Sequence, residues 1–210
     1  MSPDPSPAPP IRVLLADDQA LVRGALAALL ALEPDLDVVA EIGRGDEVVE
    51  ACRTHAADVA LLDVEMPGLD GIEATARVKR ELPQTRVLIV TTFGRPGFLR
   101  RALQAGADGF VVKDTPARQL ADAVRRVHAG LRVVDPVLAA DSLVTGESPL
   151  TAREGDVLRC ARGGATVATI ARELVLSEGT VRNHLSSAIG KTGAATRAEA
   201  ARIASDNGWL

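Results

Sequence analysis

IRVLLADDQALVRGALAALL, residues 11–30, opens with an apolar run, ends that run on two adjacent acids, and continues into residues spaced for a helix. The run Ile11–Ala16 reads as a strand buried on both faces, and Leu21, Ala25 and Leu29 recur at the spacing of one helical stripe. The same unit then returns. Apolar runs stand at Asp37–Ala40, Val59–Leu62, Arg86–Val90 and Gly109–Val112. The stretches after them carry Val48/Val49/Cys52, Ile72/Ala76/Val78, Leu99/Leu103 and Leu120/Val124/Val127. Five strand-then-helix units predict an α/β fold, a doubly wound five-stranded parallel sheet with helices on both faces and right-handed crossovers. In such sheets functional residues gather beyond the carboxyl ends of the strands.

Outward from this block the character changes. Residues 1–10 hold five prolines among small and acidic residues, with neither the basic flank nor the apolar stretch of a secretory signal, and read as a disordered tail. Residues 131–148 lose the periodicity and read as a linker, with one short helix around Pro136–Leu143. Residues 149–210 read as a second, smaller all-α domain of four helices, leaving 11–130 for the sheet domain. Thr151-Ala-Arg-Glu154 has the form of a capping box, in which hydroxyl and carboxylate each satisfy a free backbone donor.

Composition narrows the function classes. Of 210 residues 47% are hydrophobic but only 2% aromatic, so the cores must be built from Leu, Val, Ile and Ala. No apolar run approaches the roughly 18 residues of a membrane span, and no membrane partner is expected. Cys52 and Cys160 have no CxxC spacing and no neighbouring histidines, which suits two buried, reduced thiols in a cytoplasmic protein. The net charge of −4 divides unevenly. Residues 1–148 carry 16 Lys/Arg against 22 Asp/Glu, or −6, while residues 149–210 carry 8 against 6, or +2. An acidic module joined to a mildly basic one points to different partners for each.

The chemistry lies at the strand ends. Asp17 and Asp18 follow the first strand, Asp63 ends the third, Thr91 the fourth and Lys113 the fifth, so the topology brings all of them to one rim. Clustered carboxylates repel unless a cation is present, and an oxygen cage of this kind suits Mg²⁺. The main-chain carbonyl of Glu65 can add a neutral ligand. A carboxylate beside Mg²⁺ and an ammonium can attack phosphorus to give an aspartyl phosphate. Two readings share this chemistry. One is a signalling domain that takes up a single phosphoryl group. The other is a Mg²⁺-dependent, phosphatase-like enzyme with an aspartyl-phosphate intermediate, for which Glu65 stands two residues after the nucleophile.

Leu14-Leu-Ala-Asp-Asp18, Leu61-Leu-Asp63-Val-Glu-Met-Pro-Gly68, Val90-Thr91-Thr92 and Gly109-Phe-Val-Val-Lys113-Asp together resemble the signature set of response-regulator receiver domains. The resemblance implies that Asp63 accepts phosphate from a sensor histidine kinase. It implies that Asp18 binds the metal directly and Asp17 through water, and that Thr91 and Lys113 serve the phosphoryl group. Phe110 falls at the family's aromatic switch position. Asp114 stands where many receivers have proline, so a cis bond after Lys113 would be costly and a trans or strained link is expected. Phe93-Gly-Arg-Pro-Gly-Phe98 is similar to the loop of a branch that regulates membrane-lipid desaturation.

Toward the carboxyl end, Ile170–Leu174, a short turn through Ser177, and Val181–Leu185 read as helix, turn, helix, with Ser177 as N-cap. Val181, Leu185 and Ile189 share a stripe that faces the core. The opposite face presents Arg182, Asn183 and Ser186, with Ser187 beside them, donors suited to a major groove or its phosphates. Thr180 and Lys191, toward the helix ends, complete the expected DNA-binding set. With Leu150–Glu154 upstream and Arg197–Ala200 downstream, the segment resembles the LuxR/NarL-type output domain. The resemblance implies double-stranded DNA as partner and homodimerisation on phosphorylation. Thr169 stands where that family usually has Glu, Gly190 weakens the second helix and Thr192 replaces an apolar residue, so a marginally stable domain is expected. A helical bundle that binds protein is the alternative.

Overall fold

The structure, a computed structural model, describes residues 9–92, 96–136, 138–139 and 148–210, which fall into two compact units. The first contains strands β1 (Ile11–Ala16), β2 (Leu36–Ile42), β3 (Val59–Leu62), β4 (Arg86–Thr91), β5 (Gly109–Val112) and β6 (Val133–Val134). Its helices are α1 (Ala20–Leu30), α2 (Val48–Thr54), α3 (Gly71–Glu81), α4 (Pro96–Gln104) and α5 (Ala117–His128). The strands form one parallel sheet in the order β2-β1-β3-β4-β5-β6. The order reverses direction at β1, so the loops after β1 and β3 face each other across the crevice where ligands bind in such sheets.

Side chains alternate between two cores. Val13, Leu15, Leu61, Leu88 and Val90 pack against α1 and α5 through Leu30, Leu120, Val124 and Val127. Leu14, Ala16, Leu62, Ile89 and Phe110 pack on the other face with Cys52, Ile72, Val78 and Leu99. Burial on both faces is why these strands read as unbroken apolar runs.

Several expectations need correction. The sheet has six strands, not five, because the β-branched pair Val133–Val134, inside the stretch read as linker, pairs beside Gly109 and Phe110. Val133 N–H donates to Asp108 O at 3.1 Å, and the added strand covers the edge that β5 would otherwise expose. The stripe Leu21/Ala25/Leu29 lies on the outside of α1: Leu21 is 87% exposed, while Val22, Leu26, Ala27 and Leu30 turn inward. Cys52 is buried but Cys160 only half-buried, and both are free thiols. Among the described residues no peptide bond is cis, so the link after Lys113 is trans. Residues 1–8 of the expected tail, Phe93–Arg95 of the Phe93–Phe98 motif, and residues 137 and 140–143 of the expected short helix lie outside the described residues. Residues 136, 138 and 139 are helical.

The second unit is built from helices α6 (Ala152–Arg162), α7 (Val167–Glu173), α8 (Glu178–Thr192) and α9 (Arg197–Asp206). Each starts on a hydroxyl N-cap: Thr151, Thr166, Ser177 and Thr196 accept from the backbone N–H three residues on. α8 ends at Gly193, whose φ of 66° is the left-handed conformation that closes a helix with least strain in glycine. Val157, Leu158, Ile170, Val181, Leu185, Ala188, Ala200 and Ala204 form its core. The Thr192 hydroxyl, at an apolar position of the pattern, donates to Ala188 O at 2.8 Å, which satisfies it within its own helix. No described helix is long and apolar enough to cross a membrane.

Candidate functional site

Three loops converge at the carboxyl end of the sheet. β1 and β3 are neighbours in register, Ala16 beside Leu62, so the residues that follow them, Asp17 and Asp63, emerge side by side. Asp63 N–H donates to Ala16 O at 2.8 Å and Asp17 N–H to Ile42 O at 3.1 Å, which ties both acids to the sheet. The loop after Asp63 then turns tightly into α3. There Gly71 lies against the Asp63 carbonyl so closely that a Cβ would sit 1.9 Å from the oxygen. Only a residue without a Cβ permits this close approach. Asp70 caps the same helix, its carboxylate accepting from Glu73 N–H at 2.7 Å.

One carboxylate oxygen each from Asp17, Asp18 and Asp63 lies within 4.8 Å of the others. Asp17 and Asp63 are buried and Asp18 is exposed. Lys113, brought in by β5, sets its ammonium 2.6 Å from Asp17 and 2.9 Å from Asp63. One ammonium therefore bridges two of three carboxylates, and the Arg23 guanidinium lies beside Asp17 at its main-chain carbonyl. Burial raises the Asp63 carboxyl above the usual range, and the charge of Asp17 adds a smaller push in the same direction. The Lys113 hydrogen bond and the Val64 N–H, at 2.7 Å, only partly oppose the rise. For Lys113 burial pulls the other way, and the bonds to Asp17 and Asp63 outweigh it, so the ammonium is held more firmly than usual. An all-oxygen donor set with surplus negative charge and one solvent-facing member fits a hard divalent cation such as Mg²⁺.

The remaining sequence-predicted residues of this rim fall around it. Thr91, buried, ends β4 and pairs with Val112, and its carbonyl accepts from Lys113 N–H at 2.8 Å. Glu65 is exposed in the loop after Asp63. Phe110 is wholly buried, opposite Ile89 and one alternate position below the Thr91–Val112 pair. Sequence reasoning missed Arg23. It reaches from α1 to donate to the Asp17 carbonyl, with its Nε 3.8 Å from Glu41. A lone arginine in an otherwise apolar helix was the available signal.

In the second unit, α7, the turn and α8 form the expected helix-turn-helix. Val175 in the turn takes a left-handed φ of 55°, a strained conformation for a β-branched residue. Arg182, Asn183 and Ser186 are exposed on one side of α8. Arg182 makes an ion pair with Glu178 at 2.6 Å, an exposed i,i+4 pair that contributes little and is easily exchanged. Thr180 is half-buried, its hydroxyl 2.8 Å from that of Ser177. Lys191 stands apart: its ammonium is 2.7 Å from the buried carboxylate of Glu154. Thr169, at the position usually held by Glu, bonds to the Thr166 cap instead.

Residues 13–125 match the family described as response regulator receiver domain, and residues 148–204 the bacterial regulatory proteins of the luxR family. The chain is 42% identical to the uncharacterized transcriptional regulatory protein YvfU of Bacillus subtilis over 95% of its own length and 100% of the relative's. It is 39% identical to the transcriptional regulatory protein DesR of the same organism, over 95% of this chain and 99% of that one. Among solved structures, the response regulator ChrA of a heme-sensing two-component system superposes with a TM-score of 0.59 at 32% identity, covering 97% of this chain and 100% of ChrA.

Proposed function

Given that the chain belongs to the response regulators that join a receiver to a LuxR-family output domain, we propose that phosphorylation of Asp63 controls its binding to DNA. The division at 11–130, 131–148 and 149–210 gives each half one task, with β6 extending the receiver's sheet into the middle segment. The single observation that carries the reading is the charge imbalance at the rim: two buried carboxylates and one exposed one against a single ammonium.

Asp63 is the phosphoacceptor. One oxygen of its carboxylate bonds to phosphorus as the phosphorus–nitrogen bond of a kinase phosphohistidine breaks, and the imidazole leaves. Lys113 orients the Asp63 carboxylate and faces the incoming phosphoryl oxygens. Thr91 supplies a hydroxyl to one of those oxygens, and Phe110 packs beneath it as the switch that passes the change to the receiver surface. Asp17, Asp18, Asp63 and the Glu65 carbonyl would hold Mg²⁺, which when bound supplies positive charge against the transferring group. Dimerisation then sets two copies of α8 on neighbouring half-sites, where Arg182, Asn183, Ser186 and Thr180 face the major groove. The protein acts in the cytoplasm, as a regulator with no turnover chemistry of its own.

The test is direct. Incubation with Mg²⁺ and acetyl phosphate should add one phosphoryl group per chain by intact mass, and Asp63→Asn should remove it. Beryllofluoride should convert monomer to dimer in the wild type alone. Undiminished labelling of Asp63→Asn would discard the assignment, and multiple turnover on a phosphate monoester would favour the phosphatase-like reading.

A further inference from the structure

Glu154 is among the few buried charged side chains of the described residues, and it lies far from the receiver pocket in sequence. Its carboxylate is fully engaged. Thr151 N–H donates to Oε2 at 2.7 Å and Lys191 Nζ to the same oxygen at 2.7 Å, while the Ser187 hydroxyl donates to Oε1 at 2.6 Å. The first bond is half of the capping box that starts α6; the other two come from α8. Ser187 and Lys191 are four residues apart, hence on one stripe of that helix.

Lys191 stands nine residues after Arg182, two and a half turns at 3.6 residues per turn, so it projects away from Arg182, on the flank that continues from Asn183 through Ser187. The residues that seat α8 in the core are Val181, Leu185 and Ala188. Such contacts choose which stripe of the helix turns inward but are individually non-directional. Hydrogen bonds to one buried carboxylate are directional and fix rotation about the helix axis. We infer that Glu154 is a positioning residue for the DNA-recognition helix, gripping α8 along the flank that Ser187 and Lys191 share with Asn183, and that Lys191 is committed to this grip and not to DNA. The inference rests on the DNA-binding reading above. On this inference Lys191, which the sequence places among the DNA contacts, serves the helix instead.

The probes are a short duplex selected by the full wild-type chain from a random library and a scrambled version of it. Glu154→Gln should lower the preference for the selected duplex by roughly tenfold, the size of one lost base-specific contact, without weakening binding to the scrambled one. A mere loss of folded protein would weaken both alike. Because Glu154→Gln leaves Lys191 without its counter-ion, Glu154→Met combined with Lys191→Met provides a variant with no unpaired charge, and it should lose the same preference. Lys191→Met alone should leave the slope of log affinity against log salt unchanged, whereas a phosphate contact would reduce it by about one. Full preference in the double variant, or a slope reduced by about one in Lys191→Met, overturns the inference. Failure of the wild type to select any duplex, or unchanged selected binding by Arg182→Ala, overturns the DNA reading and this inference with it.

Discussion

The receiver rim and the Glu154 cluster use the same materials to opposite ends. In each, a lysine ammonium meets a buried carboxylate at hydrogen-bond distance. In the output domain one carboxylate receives a lysine, a hydroxyl and a backbone N–H. Although burial pushes the Glu154 carboxyl up, the Lys191, Ser187 and Thr151 bonds outweigh it and bring it down to about 2. At the rim one lysine is divided between Asp17 and Asp63, Asp18 adds a third negative charge nearby, and Asp63 is raised. A saturated carboxylate is a finished structural joint. An under-compensated one has affinity to spare for a cation and a reacting group.

The largest expected effect tests the finished joint. Glu154→Ala strands Lys191 and Ser187 and should lower the unfolding free energy of the output domain by about 3 kcal/mol. Trp209, the only tryptophan and packed against that domain's core, reports it by fluorescence in urea. A loss near zero would break the contrast. Acid comes next. The carboxyl of Glu154 is lower folded than unfolded, so its contribution is complete above the ordinary range near 4.5 and fades as pH falls toward 2. Between pH 6 and 3 the output domain should lose on the order of 1 kcal/mol through this group, about half the unscreened linkage value. In Glu154→Gln that share of the pH dependence should vanish.

At the rim the signs reverse. Mg²⁺ at ten times its dissociation constant should stabilise the receiver by about 1.4 kcal/mol and leave the Trp209 transition unmoved. Asp18→Asn should weaken that response, read by calorimetry across a magnesium titration. Smallest of all, Asp63→Asn removes a carboxylate whose ionised form burial disfavours, and should raise the melting temperature of the magnesium-free receiver slightly. A destabilised Asp63→Asn would mean that the rim is as complete as the Glu154 joint, and the comparison would fail.

The two clusters were not equally legible. Asp17, Asp18, Asp63, Thr91 and Lys113 each sit directly at or after the end of an apolar run, and parallel topology alone sends every such end to one rim. Glu154 was legible only as a cap, because its partners lie 33 and 37 residues away on another helix. Nothing in local spacing records that pairing. α1 was misread for a related reason. In ALVRGALAALL nearly every position is apolar, so Leu21/Ala25/Leu29 and Val22/Leu26/Leu30 fit a helical stripe equally well, and only packing chooses. The two-residue β6 is too short for periodicity to register.

By itself the sequence determined the element types, the strand-end chemistry and the helix caps, since each depends on residues within a turn or a strand of one another. Tertiary structure alone decided which face of α1 is covered, that a sixth strand closes the sheet edge, and that Lys191 belongs to Glu154. Those outcomes depend on distances between segments remote in the chain, and a charge or an apolar surface is indifferent to partner identity until folding brings one within reach.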